Sequence, residues 1–357
     1  MDRCAGSPGL FHAGCSALSW QTEDGSRLLG RNYDFSRLAQ GSAVTWLPPD
    51  TPYHTCLDDS RTAHRSAYGC AGMGLLQLPG GPVLYEGINE RGLMGGQLYY
   101  REFAHYPPTP RPGTAPLQPP FAVYHLLAQC STVDEAAVLL EEETTLVSIP
   151  LLGTVPPLHW IFSDRTGETM VVEPDVDGLH LYRRTLGVLT NSPGYLWHRL
   201  NLLNYAGIRD LDYGELDLGE EVLSQCFSGS GAQGLPGDWS SPSRFVRLAF
   251  LKKLAQLGAD EPQGVARLFR LLQSAAFPLG LVRVTHQGHL TQLDREVSPF
   301  DYTIYSCVMC AQSARYYWTS YENQQIRYLE LNRLSRSAGP IQFDVGLRGE
   351  FFSLTPP

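Results

Sequence analysis

Residues 15–35 read Cys15-Ser-Ala-Leu-Ser-Trp-Gln-Thr22, then Glu-Asp-Gly-Ser, then Arg27-Leu-Leu-Gly-Arg-Asn-Tyr-Asp-Phe35. The first and last parts have the composition of short strands, and Asp24-Gly25 between them is a strong signal for a two-residue hairpin turn. A loop centred between residues 24 and 25 places Cys15 directly opposite Asp34, with their Cα atoms about 4.5–5.5 Å apart. This hairpin therefore predicts a thiol and a carboxylate side by side.

Arg31 adds a guanidinium on the second strand of the same hairpin. It lies three residues from Asp34, so strict alternation of side chains would turn it to the opposite face of the sheet. A bulge at Gly30 is expected to bring it round towards Cys15. The hairpin then gathers a thiol, a carboxylate and a guanidinium in one small unit.

Cys15 could act as an N-terminal nucleophile if the peptide bond between Gly14 and Cys15 were cleaved. The new α-amine, with a pKa of about 7.7–8.0, could accept the proton of a thiol whose pKa is about 8.5. Arg31 would favour the thiolate, and Asp34 could hold the amine by a hydrogen bond. The spacing alone is equally compatible with a buried cysteine beside a structural Arg–Asp pair.

Two residues far along the chain carry groups that suit the same chemistry. Asn191, in Leu189-Thr-Asn-Ser-Pro193, ends a predicted strand, where its amide could donate to a developing oxyanion; an asparagine before Ser-Pro is also a common turn former. Arg244 lies in the first turn of a predicted helix, where a cation opposes the helix dipole. This placement indicates a role beyond the helix, such as pairing with a carboxylate, although a surface arginine fits the pattern equally well.

The wider sequence pattern predicts an α+β fold. Apolar residues at helical spacing predict helices at 121–129, 133–143, 242–257 and 263–275, the second capped by Ser131 or Thr132 with Glu135. Strands are predicted in a four-stranded meander at 158–164, 168–173, 179–184 and 187–190, and later at 302–307, 316–321 and 326–331. The proline-rich segment 107–120 is interpreted as a surface loop. Sheets alternating with helices in this order predict a sandwich of two antiparallel sheets covered by helices.

Composition argues against several classes of protein. The 357 residues carry a formal net charge of −9, so no broad cationic surface is expected to bind nucleic acid. There is no run of 18 apolar residues to span a membrane, and the first 14 residues lack the apolar run of a secretory signal, so we expect a cytoplasmic protein. Eight cysteines are too sparse for a disulfide scaffold. Cys307-Val-Met-Cys310 has the spacing of a metal or redox pair, but with no second pair or nearby histidine it is interpreted as packing residues.

Eight segments, in one order, resemble the choloylglycine hydrolase family of N-terminal-nucleophile hydrolases, which contains penicillin V acylases and conjugated bile salt hydrolases. The segments are Gly14-Cys-Ser-Ala-Leu-Ser19, Gly30-Arg-Asn-Tyr-Asp34, Asn89-Glu-Arg-Gly-Leu93, Leu158-His-Trp160, Gly187-Val-Leu-Thr-Asn-Ser-Pro193, Gly234-Leu-Pro-Gly-Asp238, Ser243-Arg-Phe-Val-Arg247 and Met309-Cys-Ala-Gln312. The resemblance implies a four-layer αββα sandwich, with one catalytic domain at 15–357 after a leader or propeptide at 1–14. It also implies a homotetramer.

The resemblance assigns roles residue by residue. The nucleophile falls on Cys15, and the other catalytic positions fall on Arg31, Asp34, Asn191 and Arg244. Tyr99 falls at a position where bile salt hydrolases commonly carry Asn and the better-known penicillin V acylases carry Tyr. The resemblance thus implies an amidase that forms a thioester acyl-enzyme and requires no metal or cofactor.

The substrate implied first is penicillin V, which would give 6-aminopenicillanic acid and phenoxyacetate. Conjugated bile salts and other N-acyl amides, such as acyl homoserine lactones, are alternatives. A different class of function is a catalytically silent protein that binds amphipathic ligands and keeps the Cys15 peptide bond intact. A papain-like hydrolase would need a histidine to activate the thiol, and none of the ten histidines stands out for that role.

Overall fold

The computed structural model describes residues 14–57, 62–284, 297–334, 336 and 339–354. The strands in these residues are β1 (Gly14–Gln21), β2 (Arg27–Phe35), β3 (Ser42–Leu47), β4 (Pro52–His54), β5 (Ala63–Arg65), β6 (Cys70–Leu75), β7 (Val83–Asn89), β8 (Met94–Tyr99), β9 (Ala115–Leu117), β10 (Thr144–Leu146), β11 (Leu158–Ser163), β12 (Thr169–Asp175), β13 (Gly178–Arg183), β14 (Val188–Leu189), β15 (Leu216–Asp217), β16 (Val222–Leu223), β17 (Val282–Arg283), β18 (Phe300–Cys310), β19 (Arg315–Ser320), β20 (Arg327–Glu330) and β21 (Ile341–Phe343). The α-helices are α1 (Ala122–Gln129), α2 (Val133–Val138), α3 (Tyr195–Asn201), α4 (Ser241–Leu254) and α5 (Glu261–Gln273).

Two antiparallel sheets form the centre of the fold. The first sheet has the order β14-β1-β2-β18-β19-β20, with β17 also paired to β18, and the second has the order β13-β12-β11-β8-β7-β6-β3-β21. Helices α4 and α5 pack on the first sheet, and α1 packs on β7 and β8 of the second. Strands β1 and β2 contact β8 between the sheets. This order of layers, helix, sheet, sheet and helix, confirms the predicted four-layer αββα sandwich.

The central strands are covered on both faces, which explains their sequences. Strands β7 and β11 are buried along their full length, and β1 is buried except at Gln21. A strand between a sheet and a helix layer must be apolar on both sides, so these segments read as continuous apolar runs instead of alternating ones. The polar side chains that do occur in such strands are therefore unusual, and several of them lie at the site described below.

The hairpin β1–β2 closes through a longer loop than the sequence predicts. The N–H of Thr22 donates to the carbonyl of Ser26 at 3.1 Å, and the N–H of Gly25 donates back to Thr22 at 3.1 Å. Gly25 has φ +88°, so it is the left-handed third residue of a three-residue loop. The prediction of a two-residue Asp24-Gly25 turn is wrong, because this glycine ends a three-residue loop that begins one residue earlier.

The longer loop shifts the register of the hairpin by one residue. Cys15 pairs with Tyr33, and not with Asp34 as predicted. Arg31, two residues before Tyr33, then lies on the same face of the sheet as Cys15. The pairing between β1 and β2 is continuous, so the predicted bulge at Gly30 is absent and is not needed.

The predicted meander is only partly correct. Strands β11, β12 and β13 form it, but β14 leaves the second sheet and pairs with β1 of the first, with Leu189 opposite Ala17. Gly187, with φ +67°, lies at this crossing, and its carbonyl accepts the N–H of Ser19 at 2.7 Å. The crossing gives β1 a partner on its outer edge and brings the residues after β14 towards the start of the chain.

The helices agree closely with the sequence pattern. Thr132 caps α2 by accepting the N–H of Glu135 at 3.2 Å, and the Glu135 carboxylate accepts the N–H of Ser131, the residue before the cap, at 2.6 Å, so the arrangement is a capping box shifted by one residue on its return side. A π-helical turn, Leu139–Glu143, continues α2. Among the described residues, no helix combines the length and the apolar character that crossing a bilayer requires.

Candidate active site

Cys15 lies on β1, where the two sheets face each other. The residue is 2% exposed, and its Sγ receives a hydrogen bond from Nη2 of Arg31 at 3.3 Å. Burial raises the pKa of the Cys15 thiol, against the opposing effects of Arg31 and Arg244. Arg31 alone would favour the thiolate, as expected from the sequence, but burial outweighs it and favours the protonated thiol.

Asn191 comes to Cys15 through the crossing of β14. Its Oδ1 accepts the backbone N–H of Cys15 at 2.9 Å and Nη2 of Arg244 at 2.8 Å. Its Nδ2 donates to the carbonyl of Tyr99 at 2.9 Å. Oδ1 accepts two N–H groups and Nδ2 donates to a carbonyl, so these hydrogen bonds define which end of the amide is the oxygen. The sequence expectation treated this amide as a donor, and the structure places its acceptor oxygen nearest to Cys15.

Arg244 is 2% exposed and points from α4 into the site. Its Nη1 donates to the carbonyl of Cys15 at 2.5 Å and to Oγ of Ser16 at 2.7 Å, and its Nε donates to the carbonyl of Trp239 at 2.9 Å. Its position in the first turn of the helix is unfavourable for a cation. These acceptors, together with Asn191, offset that cost and account for the position.

Asp34 lies behind β2, on the side of the helices. Its Oδ1 accepts a hydrogen bond from Oγ1 of Thr303 at 2.5 Å, whereas Oδ2 has no hydrogen-bond partner and lies 4.0 Å from Nη1 of Arg244. Burial raises the pKa of this carboxyl to about 6, although Arg244 and Thr303 favour the ionised form. The cross-strand partner of Asp34 is Gly14, which is the residue before Cys15. The residue that carries the unpartnered Oδ2 is therefore paired with Gly14.

Tyr99 ends β8 in the second sheet. Its carbonyl holds the amide of Asn191, and its ring lies 5.9 Å from the ring of Phe35. The site is therefore assembled from both sheets, from the crossing after β14 and from α4.

A cavity of about 180 Å³ opens at Cys15. Its wall is mostly apolar and aromatic, with contributions from both sheets and from the loop after β10. The lining side chains include Tyr33, Phe35, Leu75, Leu78, Val83, Tyr85, Tyr99, Leu151, Leu152 and Leu158. Tyr33 is stacked between Tyr305, at 5.0 Å, and Tyr85, at 5.4 Å, so this part of the wall is fixed by its neighbours. Such a wall suits an apolar group beside the thiol.

All six residues that the sequence singled out meet at this place: Cys15, Arg31, Asp34, Tyr99, Asn191 and Arg244. Two further residues of the site were not predicted: Thr303, which donates to Asp34, and Glu86, which pairs with Arg31. Glu86 had a visible signal, because it is the one charged residue in the apolar strand Val83-Leu-Tyr-Glu-Gly-Ile-Asn89. Thr303 had none, because a threonine in a strand is ordinary.

In the part of the chain that the structure describes, the cluster of side chains that could bind a metal ion lies away from this cavity. Asp175, Asp177 and His180 bring donor atoms within 4.8 Å of one another at the β12–β13 turn, and none of them lines the cavity at Cys15. Cys307 and Cys310 are buried free thiols on β18. Residues three apart on a strand face opposite sides of the sheet, so this pair does not form one ligand set.

Comparison with known proteins gives one consistent family. The family described as linear amide C-N hydrolases, choloylglycine hydrolase family, matches residues 15–337. A bile salt hydrolase/transferase of Clostridium perfringens is 30% identical over 322 residues, which are 89% of this chain and 93% of that protein. A penicillin V acylase of Pectobacterium atrosepticum is 25% identical over 282 residues, covering 73% of this chain and 66% of that protein.

Solved structures agree with these sequence matches. A crystal structure of a variant of conjugated bile acid hydrolase from Clostridium perfringens superposes with a TM-score of 0.84 at 28% sequence identity. The match covers 96% of this chain and all of the other. The correspondence of fold therefore extends over both sheets and the helix layers.

Proposed function

This chain belongs to the choloylglycine hydrolase family of linear amide C-N hydrolases, and we propose that it cleaves N-acyl amides with Cys15 as an N-terminal nucleophile. One observation carries the proposal: Sγ of Cys15 contacts a guanidinium on the wall of a mostly apolar cavity, while the backbone nitrogen of the same residue is held by Asn191 Oδ1. A nucleophile and the nitrogen that could serve as its base are both fixed by neighbouring groups.

The proposal requires cleavage of the bond between Gly14 and Cys15. The free amine would keep Asn191 Oδ1 as an acceptor, since that oxygen already lies 2.9 Å from the nitrogen. The unpartnered Oδ2 of Asp34 offers a second acceptor once Gly14 no longer lies across from it. An α-amine titrates near neutral pH, so it can take a proton from the thiol and return it later.

In the proposed reaction the Cys15 thiolate attacks the amide carbonyl, and the α-amine holds the thiol proton. One N–H of Asn191 Nδ2 is bound to Tyr99, and its second N–H, with donors near Tyr99, would stabilise the tetrahedral oxyanion. The α-ammonium then protonates the leaving nitrogen, the C–N bond breaks and a thioester forms. Water, deprotonated by the amine, hydrolyses the thioester, releases the carboxylic acid and restores the thiol.

We propose conjugated bile salts as the first substrate class. The support is twofold: the relatives named bile salt hydrolase match at higher identity and over more of the chain than the penicillin V acylase does, and the wall of the cavity is mostly apolar, as an apolar acyl group requires. Penicillin V, which the sequence favoured, is the second candidate. Its support is the aromatic part of the wall, Tyr33, Phe35, Tyr85 and Tyr99, which suits a phenoxy ring.

Intact mass and initial rates test the proposal together. The purified protein is expected to lose its residues before Cys15 and to hydrolyse glycocholate faster than penicillin V at equal concentration. Cys15→Ala should abolish hydrolysis, whereas the control Cys226→Ala, at an exposed free cysteine, should not. Turnover that survives Cys15→Ala would refute the mechanism. A full-length, inactive protein that still binds bile salt would instead support the silent binding protein, and faster cleavage of penicillin V would reverse the substrate order.

A further inference from the structure

Arg31 is the residue that donates a hydrogen bond to Sγ of Cys15, and all five of its N–H donors are used. Nε and Nη2 donate to the carbonyl of Gln97 at 3.1 and 2.8 Å, and Nη2 also donates to Cys15 Sγ. Nη1 donates to the carboxylate of Glu86 and to the hydroxyl of Tyr305 at 3.3 Å. A guanidinium has five N–H donors, so Arg31 is fixed on both of its edges.

Glu86 is the anionic partner of Arg31, and it lies in the opposite sheet. The residue is 0% exposed on β7. Besides the ion pair with Arg31, its carboxylate accepts the hydroxyl of Tyr305 at 2.9 Å and the hydroxyl of Tyr316 at 2.8 Å. A buried carboxylate is tolerated only when it is paired and hydrogen-bonded, and Glu86 meets both conditions.

A glycine allows this close approach of the two sheets. A Cβ added at Gly96 would lie 3.1 Å from Cβ of Glu86 and 3.2 Å from Cδ of Arg31. Any larger residue on this part of β8 would press on both members of the pair. The glycine thus leaves space for the ion pair whose arginine contacts the thiol.

We propose that Glu86 is a positioning residue that balances the charge of Arg31 and thereby sets the acidity and nucleophilicity of Cys15. This inference rests on the proposed function, in which Cys15 is the nucleophile. Without Glu86 the guanidinium would still be held by Gln97, and the Cys15 thiolate would become the anion in hydrogen-bond contact with it. A thiolate paired too strongly is formed at lower pH but attacks more slowly.

Among the described residues, the groups that interact with Cys15 and Arg31 come from both sheets and from α4, and the phenol of Tyr33 interacts with both. Under the proposed function the α-amine of Cys15 also titrates beside the thiol, in the parent protein and in the variants alike. Cys15 is influenced by Arg31, Asp34 and Arg244, which come from β2 and α4. Arg31 is influenced by Cys15, Glu86, Tyr305 and Cys307. Because Asp34 and Arg244 are unchanged in a Glu86 variant, a change in the thiol's titration would be transmitted through Arg31.

The test measures the rate of alkylation of Cys15 by iodoacetamide against pH, by mass spectrometry of the peptide that contains this residue. In Glu86→Gln the midpoint of the profile is expected to move down by about one pH unit, because a negative charge is lost beside Arg31. In Tyr316→Phe it should move up, because the hydroxyl dipole that offsets part of the carboxylate's negative potential is lost, so Arg31 and the thiol experience more of that potential. Glu86→Asp, which retains the charge, should stay nearest to the parent protein.

Opposite shifts in the two variants, with lower kcat and little change in KM for Glu86→Gln, would support the inference. Shifts in the same direction, or no shift, would mean that Glu86 only holds the sheets together and would overturn it. If Glu86→Gln does not fold, the upward shift in Tyr316→Phe decides alone. Because alkylation needs no turnover, this outcome is independent of whether Cys15→Ala abolishes hydrolysis, which tests the proposed function.

Discussion

The backbone nitrogen of Cys15 lies 2.9 Å from Oδ1 of Asn191, although 176 residues separate them in the chain. This contact exists because β14 crosses from the second sheet to the first and covers the outer edge of β1. The same amide joins Tyr99 and Arg244, so one asparagine connects three of the other residues at the site.

Replacing Asn191 with Ala should reduce kcat by about 10²–10³, the usual effect of removing one oxyanion donor. KM should change less, because the side chain is expected to act on the transition state. Steady-state rates on glycocholate provide the measurement. Asn204→Ala, at an exposed position, is the control. A tenfold rise in KM with unchanged kcat would contradict this role.

Replacing Arg244 with Met should lower the free energy of unfolding by about 3–5 kcal/mol. The change removes the cation near Asp34 and the Arg244 hydrogen bonds to Cys15, Ser16 and Asn191, although Asn191 Oδ1 keeps the N–H of Cys15. Denaturant unfolding gives the value. Arg199→Met, at an exposed position, should stay within about 0.5 kcal/mol of the parent. Equal stability of the two variants would show that the network around Arg244 contributes little.

Asp34 should make stability depend on pH in a defined window. Its pKa is raised from 3.8 to about 6 in the folded chain, so the folded state binds the proton more tightly than the unfolded state. The corresponding stabilisation is complete below pH 4 and is lost as the pH rises through 6. Its upper limit is about 3 kcal/mol for a shift of this size.

The comparison is between Cys15→Ala and the double variant Cys15→Ala, Asp34→Asn, so that both chains keep the bond before residue 15. Between pH 4 and 6.5, unfolding free energy should fall with pH more steeply in the chain that retains Asp34. Parallel curves would show that the folded and unfolded pKa values of Asp34 are equal.

Gly14 should tolerate no side chain while Phe277 is present. A Cβ at Gly14 would lie 2.5 Å from Cζ of the Phe277 ring, a distance that real Cβ atoms do not adopt. Gly14→Val is therefore expected to lower Tm, and it should slow the loss of the leader because the chain before Cys15 is displaced. Adding Phe277→Ala should restore part of the Tm and part of the rate at which the leader is lost, as expected for residues in contact. A double variant with exactly additive losses would exclude this steric cause.

The sequence predicted much of this fold because its signals were local. The capping box at Thr132, the paired helices after Ser240 and the first hairpin each depend on residues close in the chain. The hairpin register failed by one residue because Gly25 suits both a two-residue and a three-residue loop. Strands β3, β6, β7 and β8 were not assigned; β6 and β8 each contain two glycines, and glycine has a low preference for strands.

The candidate site could be collected from the sequence only with the help of a family resemblance. Spacing alone gathers Cys15, Arg31 and Asp34 in one hairpin, but its register paired Cys15 with Asp34 and brought Arg31 to the right face only through a bulge that the structure lacks. Nothing local places Asn191 or Arg244 beside them, since their approach depends on the crossing of β14 and on the packing of α4. The contact between Glu86 and Arg31 is harder still to predict, because it joins the two sheets.

The distribution of the site over all layers has a consequence for when its chemistry begins. Arg31 comes with the first hairpin, but Asn191 and Arg244 reach Cys15 only after β14 has crossed and α4 has docked. A nascent or partly folded chain would carry a cysteine whose backbone nitrogen is blocked and has no contact with Asn191, and whose carbonyl has no contact with Arg244. Under the proposed function, maturation and catalysis would then report the completed fold, and a hydrolase that could damage other amides would stay silent until assembly is finished.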